Sequence, residues 1–168
     1  MMKVVLYPAI TLDGFIAKTD GDSDWVTDGD LFEEKAQELG CVIVGKSTFD
    51  QFRGEIFPIE NTVTYVVTHS KISDVDDIHY VQGTAQYILD RIERDGHKNV
   101  LNAGGGEVNG LFASEGLLDE IIVDIYPLAF GEGIKLFGSY SIDLKLELLS
   151  SNQLKDGIIQ NHYKVIKD

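Results

Sequence analysis

Short β-branched runs that stop at glycine or hydroxyl-bearing turns constrain this chain more than any other feature in it. "CVIVG" (41–45) is apolar at four successive positions, which suits a buried strand and is too short for a helix. "KSTFDQF" follows at once as a short helix. "KNVLNA" (98–103) is a second such strand, followed by three glycines and a segment in which Val108, Leu111 and Phe112 face one side of a helix. "TVTYVVT" (62–68) adds a strand rich in Val, Thr and Tyr. Strand, turn and helix repeated in this way define an α/β domain.

The rest of the chain extends the pattern. "KVVLYPAI" reads as a central strand, and "TLDGFIA" as a turn carrying a short extended piece. From Asp30 the period changes: Phe32, Ala36 and Leu39 fall at helical spacing, Asp30 and Glu33 have capping-box spacing, and Gly40 is placed to end the helix. "DIHYVQ" is a weaker strand, and Ala85, Ile88, Leu89 and Ile92 form the apolar face of a helix that Gly96 terminates. "DEIIVDIYPLAFGEG" and "LKLELLSSNQLKDGIIQNHYKVI" supply three antiparallel strands, the last two joined at Asp156-Gly157, a favoured tight-turn pair. With few prolines, no repeat and no low-complexity tract, the chain reads as one domain over 1–168, with a largely parallel start and an antiparallel end.

Charge narrows the partners. Against 14 Lys and Arg stand 28 Asp and Glu, a net charge of −14 that argues against nucleic acid or an anionic membrane as the main partner. Cys41, the only cysteine, sits among apolar residues and reads as a small buried hydrophobe, which fits a reduced, cytoplasmic setting. Neither a membrane span nor a signal peptide is expected. The four histidines, His69, His79, His97 and His162, lack metal-ligand spacing, so no metal is expected.

Two glycine motifs carry the chemistry. "GCVIVGKS" (40–47) satisfies the spacing of a phosphate-binding P-loop, but its four central residues belong to a strand rather than a loop. What survives is a strand end at Gly45, Lys46, Ser47 and Thr48, where free N–H groups and a cation meet; the plain alternative is a Ser/Thr-capped helix with a solvated lysine. In "LNAGGGEVNGLF" a dinucleotide fingerprint fails, because Asn109 stands where glycine is required. Each glycine in an element costs roughly 0.5–1 kcal/mol relative to alanine, so three in succession point to positive φ or close approach by a ligand.

"SDWVTDGDLFEE" holds the remaining candidates. Asp30 has a complete role as a helix cap, yet a carboxylate at the mouth of an α/β sheet also suits an amino-pyrimidine edge or a proton relay. Trp25 reads as a core or lid aromatic, and Asp13-Gly14 as a turn.

Taken together, "TLDGFIA", the tryptophan of "SDWV", "VIVGKSTF", "YVVTHS", "LNAGGGEVNGLF" and "GLLDEIIVDIYPLAFGEGIKLF" resemble, in order and spacing, the dihydrofolate reductase-like superfamily. Within it the chain is most similar to stand-alone relatives of the C-terminal reductase domain of the bifunctional riboflavin-biosynthesis deaminase/reductase. The resemblance implies a three-layer α/β fold: a mixed, mostly parallel sheet, helices on both faces and a C-terminal antiparallel hairpin. It also implies NADPH lying across the carboxyl ends of the strands. By position, Gly45, Lys46, Ser47 and Thr48 match the turn that meets the cofactor phosphates. Thr68, His69 and Ser70 match the segment beside the adenosine and its 2′-phosphate. Ala103, Gly104, Gly105, Gly106, Glu107 and Val108 match the turn on the pyrophosphate and nicotinamide side. Asp30, five residues after Trp25, matches the substrate-binding acid of dihydrofolate reductases, with Trp25 over the site.

Departures from the pattern matter as well. Lys46 stands where dihydrofolate reductases usually carry arginine, so a point charge replaces a bidentate fork and NADH use becomes possible. "RGEIFPIENT" replaces the D-x-P-x-L-x-x-R type segment of riboflavin-pathway reductases, and Asp24 replaces the proline before the tryptophan. The expected activity is hydride transfer from NADPH to a small pterin- or aminopyrimidine-like heterocycle, 5-amino-6-(5-phosphoribosylamino)uracil reductase-like or dihydrofolate reductase-like. The rival expectation is a module that binds a nucleotide or pterin without turnover. A homodimer is also expected, since relatives often dimerise and Leu144, Leu146 and Leu148 could form an exposed apolar strand face. Loops 18–29 and 50–62 are expected to choose the substrate.

Overall fold

A computed structural model describes residues 1–168. In chain order the elements are β1 (Lys3–Leu6), β2 (Ala9–Thr11), β3 (Phe15–Ala17), α1 (Asp30–Leu39), β4 (Cys41–Gly45), α2 (Lys46–Phe52), β5 (Val63–Val67) and β6 (Ile78–Val81). There follow α3 (Ala85–Arg94), β7 (Asn99–Asn102), α4 (Gly106–Ser114), β8 (Glu120–Tyr126), β9 (Ile134–Lys135), β10 (Lys145–Gln153) and β11 (Ile159–Ile166). The main sheet runs β10-β11-β8-β1-β7-β4-β5-β6, with β2 also pairing to β8. From β8 through β6 every pairing on that path is parallel, whereas β11 joins β8, and β10 joins β11, antiparallel. The mostly parallel sheet with an antiparallel C-terminal hairpin is therefore the architecture found.

Strand alternation sorts the core into two layers. Val4 and Leu6 face one side with Ile43, Tyr65, Val100 and the apolar faces of α3 and α4; Val5 and Tyr7 face the other with Val42, Val44, Leu101, Ala36 of α1 and Phe49 of α2. Helices thus cover both faces. In α3 the spacing of Ala85, Ile88, Leu89 and Ile92 puts all four in the core, and each fully buried isoleucine contributes about 1.5–3 kcal/mol. Thr84 caps this helix by accepting a hydrogen bond from the Tyr87 amide, and two arginines in its last turn complement the dipole. Cys41 is fully buried at the start of β4, and burial pushes its thiol up to about 12, as befits an inert apolar filler. No helix is long and apolar enough to cross a membrane.

Helix α1 starts differently from the sequence expectation. Gly29 occupies the cap position and no side chain caps the helix, so Asp30 is its first residue and makes no capping box with Glu33. Its end is as expected, with Gly40 left-handed at φ 87° and its amide bonded to the Ala36 carbonyl. At the C-terminal hairpin Asp156 and Gly157 both have positive φ, 58° and 77°, and Ile158 donates to the Lys155 carbonyl across them. Two short pairings were beyond the sequence patterns: β2 beside β8, and β3 with β9 in a separate two-stranded sheet. Asp13 fastens that region, its carboxylate accepting from the Phe130 and Gly131 amides and from the Thr11 hydroxyl. The Thr11 hydrogen bond, followed by those amides, holds the Asp13 carboxyl below the usual aspartate value.

Candidate active site

Because β7, β4 and β5 are parallel neighbours, the turns after them emerge side by side. Two are joined directly: the Gly45 amide donates to the Gly104 carbonyl at 2.7 Å, and the Ala103 amide to the Ile43 carbonyl at 2.8 Å. Asn102 supports the glycine turn from below, its Oδ1 accepting from the Gly104 amide at 2.9 Å. The Gly104–Gly105 peptide is cis, and Gly104 has φ +84°. A cavity of about 900 Å³ opens beside these turns, lined there by Ser47, Thr48, Ala103, Gly104, Gly105 and Gly106. The turn is closely approached: a Cβ on Gly105 would lie 2.9 Å from the Thr48 hydroxyl, which can shift, whereas one on Gly106 would lie 2.7 Å from the Lys135 backbone carbonyl, which requires bare backbone there.

Other residues singled out from the sequence lie elsewhere. Lys46 is ion-paired with Asp50 one helical turn on, and it does not line the cavity. Thr68 is buried at the end of β5 and accepts from the Ser70 amide, while His69 and Ser70 are exposed on the turn; none of the three reaches the cavity wall. Glu107 holds the loop before β10, accepting from the Ser139 amide and hydroxyl at 2.8 and 2.9 Å. Val108 packs inward, 3.1 Å from where a Cβ on Gly45 would stand. These two belong to the scaffold of the turn.

Trp25 and Asp30 require correction. Trp25 does not roof the cavity; it stacks edge-on against Tyr126 and Phe130 at ring separations of 5.3 and 5.5 Å, with its indole N–H buried and unpartnered. Asp30 is exposed and outside the cavity wall, because the helix begins at that residue and carries it toward solvent. Asp28, two residues earlier in the loop, faces the cavity instead. The Asp28 amide donates to the Tyr126 hydroxyl at 3.2 Å, and its side chain is only 15% exposed.

Asp28 has a neighbour that sequence reading missed. Asp124, in the middle of β8, is 5% exposed and also lines the cavity. Its oxygens accept from the Tyr7 hydroxyl at 3.1 Å and from the Gln160 amide at 2.9 Å, and Gln160 also donates to the Tyr7 oxygen at 2.7 Å. Burial, reinforced by the charge of Asp28, raises the Asp124 carboxyl above the usual aspartate value, although the two hydrogen bonds pull against the shift. The Tyr7 hydroxyl is pushed up as well, first by burial and then by the Asp124 charge. Asp28 has a cation at hand, the Lys155 ammonium 3.7 Å away. Two carboxyl groups in contrasting surroundings, one buried against a phenol and one beside an ammonium, form an arrangement suited to divided proton-holding and ligand-gripping roles. The signal available in the sequence was a lone acid inside the apolar run "EIIVDIY".

Loop 18–29 closes the site from above. Gln51 of α2 donates to the Gly21 carbonyl at 3.0 Å, and Asp20, Asp24 and Thr27 contribute to the wall. The opposite wall carries Phe52, Glu55, Ile56 and Phe57 from the segment after α2. Both loops expected to choose the substrate therefore face the cavity.

The fold belongs to a recognisable class. Residues 2–160 match the family described as the RibD C-terminal domain, and the chain belongs to that family. Among curated proteins it is 33% identical to "Uncharacterized protein YwjB" of Bacillus subtilis (strain 168), across 96% of this chain and 97% of that one. Among solved structures, a diaminohydroxyphosphoribosylaminopyrimidine deaminase/5-amino-6-(5-phosphoribosylamino)uracil reductase from Thermotoga maritima superposes with a TM-score of 0.78 at 22% identity, covering 98% of this chain and 57% of that one. A dihydrofolate reductase from Enterococcus faecalis, complexed with NADP(H), gives a TM-score of 0.74 at 19% identity over 98% of this chain and 97% of that one. The fold is thus dihydrofolate reductase-like, in the form carried by RibD reductase domains.

Proposed function

We propose that the protein is an NADPH-dependent reductase of a small pterin- or aminopyrimidine-like heterocycle. The observation that carries this reading is the bonded pair of strand-end turns opening onto the same cavity as Asp28 and Asp124. A dinucleotide fits the turns. Gly104 to Gly106 present backbone without side chains. Ser47, Thr48 and the amides entering α4 would hold its phosphates, and with Lys46 paired to Asp50 away from the wall NADH would be accepted as well. When bound, the nicotinamide would supply the hydride. On the protein side, Asp28 would grip an amino-bearing edge of the substrate, and Asp124 with Tyr7 would hold the proton that the reduced atom needs. The apolar wall around Phe32 and Phe52 would exclude water.

Gly105→Val tests the cofactor part. Its φ of −74° suits any residue, and a Cβ there meets only the movable Thr48 hydroxyl, so the fold should persist while NADPH binding falls by tenfold or more. Fluorescence titration with NADPH and NADH measures this. Failure of the wild type to bind either at millimolar concentration, or unaltered binding by the variant, rejects the assignment. A second reading, binding without turnover, is favoured by the fact that both Asp124 oxygens are already engaged. Cofactor binding with no NADPH oxidation across a panel of pterins and pyrimidines would select it.

We propose further that the protein is a cytoplasmic homodimer. Strand β10 is exposed along its whole length at the edge of the sheet and displays Leu146, Leu148 and Leu149, a surface that pairing with a second copy would cover. Sedimentation at micromolar concentrations should give a dimer; a single monomeric species rejects it.

A further inference from the structure

We infer that the cavity selects a substrate bearing neither phosphate nor carboxylate: an uncharged or protonated heterocycle with amino groups. This rests on the reductase reading of the same cavity. Five carboxylates line it, those of Asp20, Asp24, Asp28, Glu55 and Asp124, and no Lys, Arg or His does. Of the nearby cations, three are engaged away from the cavity and one, Lys155, pairs with Asp28 itself. Arg53, on the segment beside Glu55, turns away and lays its guanidinium 5.3 Å above the Phe49 ring. Lys18 stands over Phe130, Lys46 is paired with Asp50, and Lys155 is largely exposed beside Asp28.

A phosphoryl group placed beyond the heterocycle would meet acids from loop 18–29 and from the segment after α2, with Lys155 beside Asp28 the one cation paired to any of them. A like charge brought up to this acidic wall binds more weakly and is slower to encounter it. Buried acceptors point to the complementary ligand. Asn109, 2% exposed and on the cavity wall, has its Oδ1 atom unpartnered, and Asp28 lines the same wall with a carboxylate whose Oδ1 accepts from the Asp30 amide at 3.4 Å and whose Oδ2 lies 3.7 Å from the Lys155 ammonium. Both demand N–H donors. An amino-substituted, preferably protonated ring supplies them.

Calorimetric titrations test the assignment, with NADPH titrated first into the same protein. Absence of NADPH binding would reject the reductase reading, while the charge selection is still measured on the free protein. Three probes then follow: 5-amino-6-(5-phosphoribosylamino)uracil, its dephosphorylated counterpart, and protonated 2,4-diaminopyrimidine. The dephosphorylated compound should bind at least tenfold more tightly than the ester, and Asp28→Asn should weaken 2,4-diaminopyrimidine by tenfold or more. Glu55→Lys, at an exposed position where folding is not at stake, should narrow the gap between ester and dephosphorylated compound. Equal or tighter binding of the ester overturns the inference. So does failure of the unphosphorylated probes to bind at millimolar concentration, an unchanged gap in Glu55→Lys, or an Asp28→Asn protein that holds 2,4-diaminopyrimidine as well as the wild type does.

Discussion

Asparagine at position 124 should lower NADPH oxidation by about 10²-fold or more with any substrate the wild type reduces, a loss in the range of general acid–base catalysis, while flattening the pH dependence of the protein's stability. The two effects have one origin. Asp124 is 5% exposed and its carboxyl is raised above 3.8, so the folded state binds its proton more tightly than the unfolded chain does. Stability from this group is therefore fully present below the unfolded value and is lost as pH rises through the folded one. Asparagine cannot ionise, so the variant lacks this descending arm of stability. Its amide keeps part of the network: the oxygen can accept from Gln160 and the nitrogen can donate to the Tyr7 oxygen, while the Tyr7 hydroxyl proton loses the acceptor it has in the wild type. Thermal midpoints from pH 3.5 to 7 should fall less steeply in Asp124→Asn than in the wild type. Parallel curves, or undiminished oxidation, would remove Asp124 from the proposed machinery.

Gly110→Val should cost about 3 kcal/mol or more, lowering the thermal midpoint by about 6–12 °C for a domain of this size. Gly110 lies in the middle of α4, where a Cβ would stand 2.3 Å from a ring carbon of Tyr140 and 2.4 Å from the Phe137 carbonyl. The ring could swing aside; the carbonyl is backbone and cannot. The helix must then part from residues 137–140, and with it go the positions of Gly106 and Asn109 at the cavity wall. Gly29→Ala is the comparison, since a Cβ there meets nothing within 4 Å and φ is −106°. Denaturant or thermal unfolding that placed the two variants together would show that the approach of helix to loop is not under the constraint described.

Much of the architecture was legible because burial imposes periods on the sequence. Apolar continuity gave β4, the i, i+3, i+4 spacing of Ala85, Ile88 and Leu89 gave α3, and the Asp156-Gly157 pair gave the hairpin. The glycine turn was legible too, since bare backbone is costly and needs a reason. The acids were harder. Separation from Trp25 drew attention to Asp30, but whether a carboxylate faces a cavity depends on where the helix begins, and Gly29 without a side-chain cap starts it at that residue. Asp124 meets Tyr7 across 117 positions and Gln160 across 36, a meeting produced by the β1-β8-β11 strand order, to which local pattern is blind. Lys46 shows the converse case: a cation in a promising turn satisfied by its own helix through Asp50. β2 and β9, at three and two residues, are too short to establish a period.

The division of the core into two layers largely separates durability from ligand recognition, Leu6 being the residue of the α3 layer that also reaches the cavity wall. Tyr7 and Phe57, buried in the layer beneath α1 and α2, double as cavity wall, so repacking there alters what the site admits. Ile88, Leu89 and Ile92 belong to the opposite layer and touch none of it. Heat resistance can therefore be built up beneath α3 while substrate choice is left alone, and selectivity can be redrawn from the other side of the sheet without spending the stability that holds it flat against its helices.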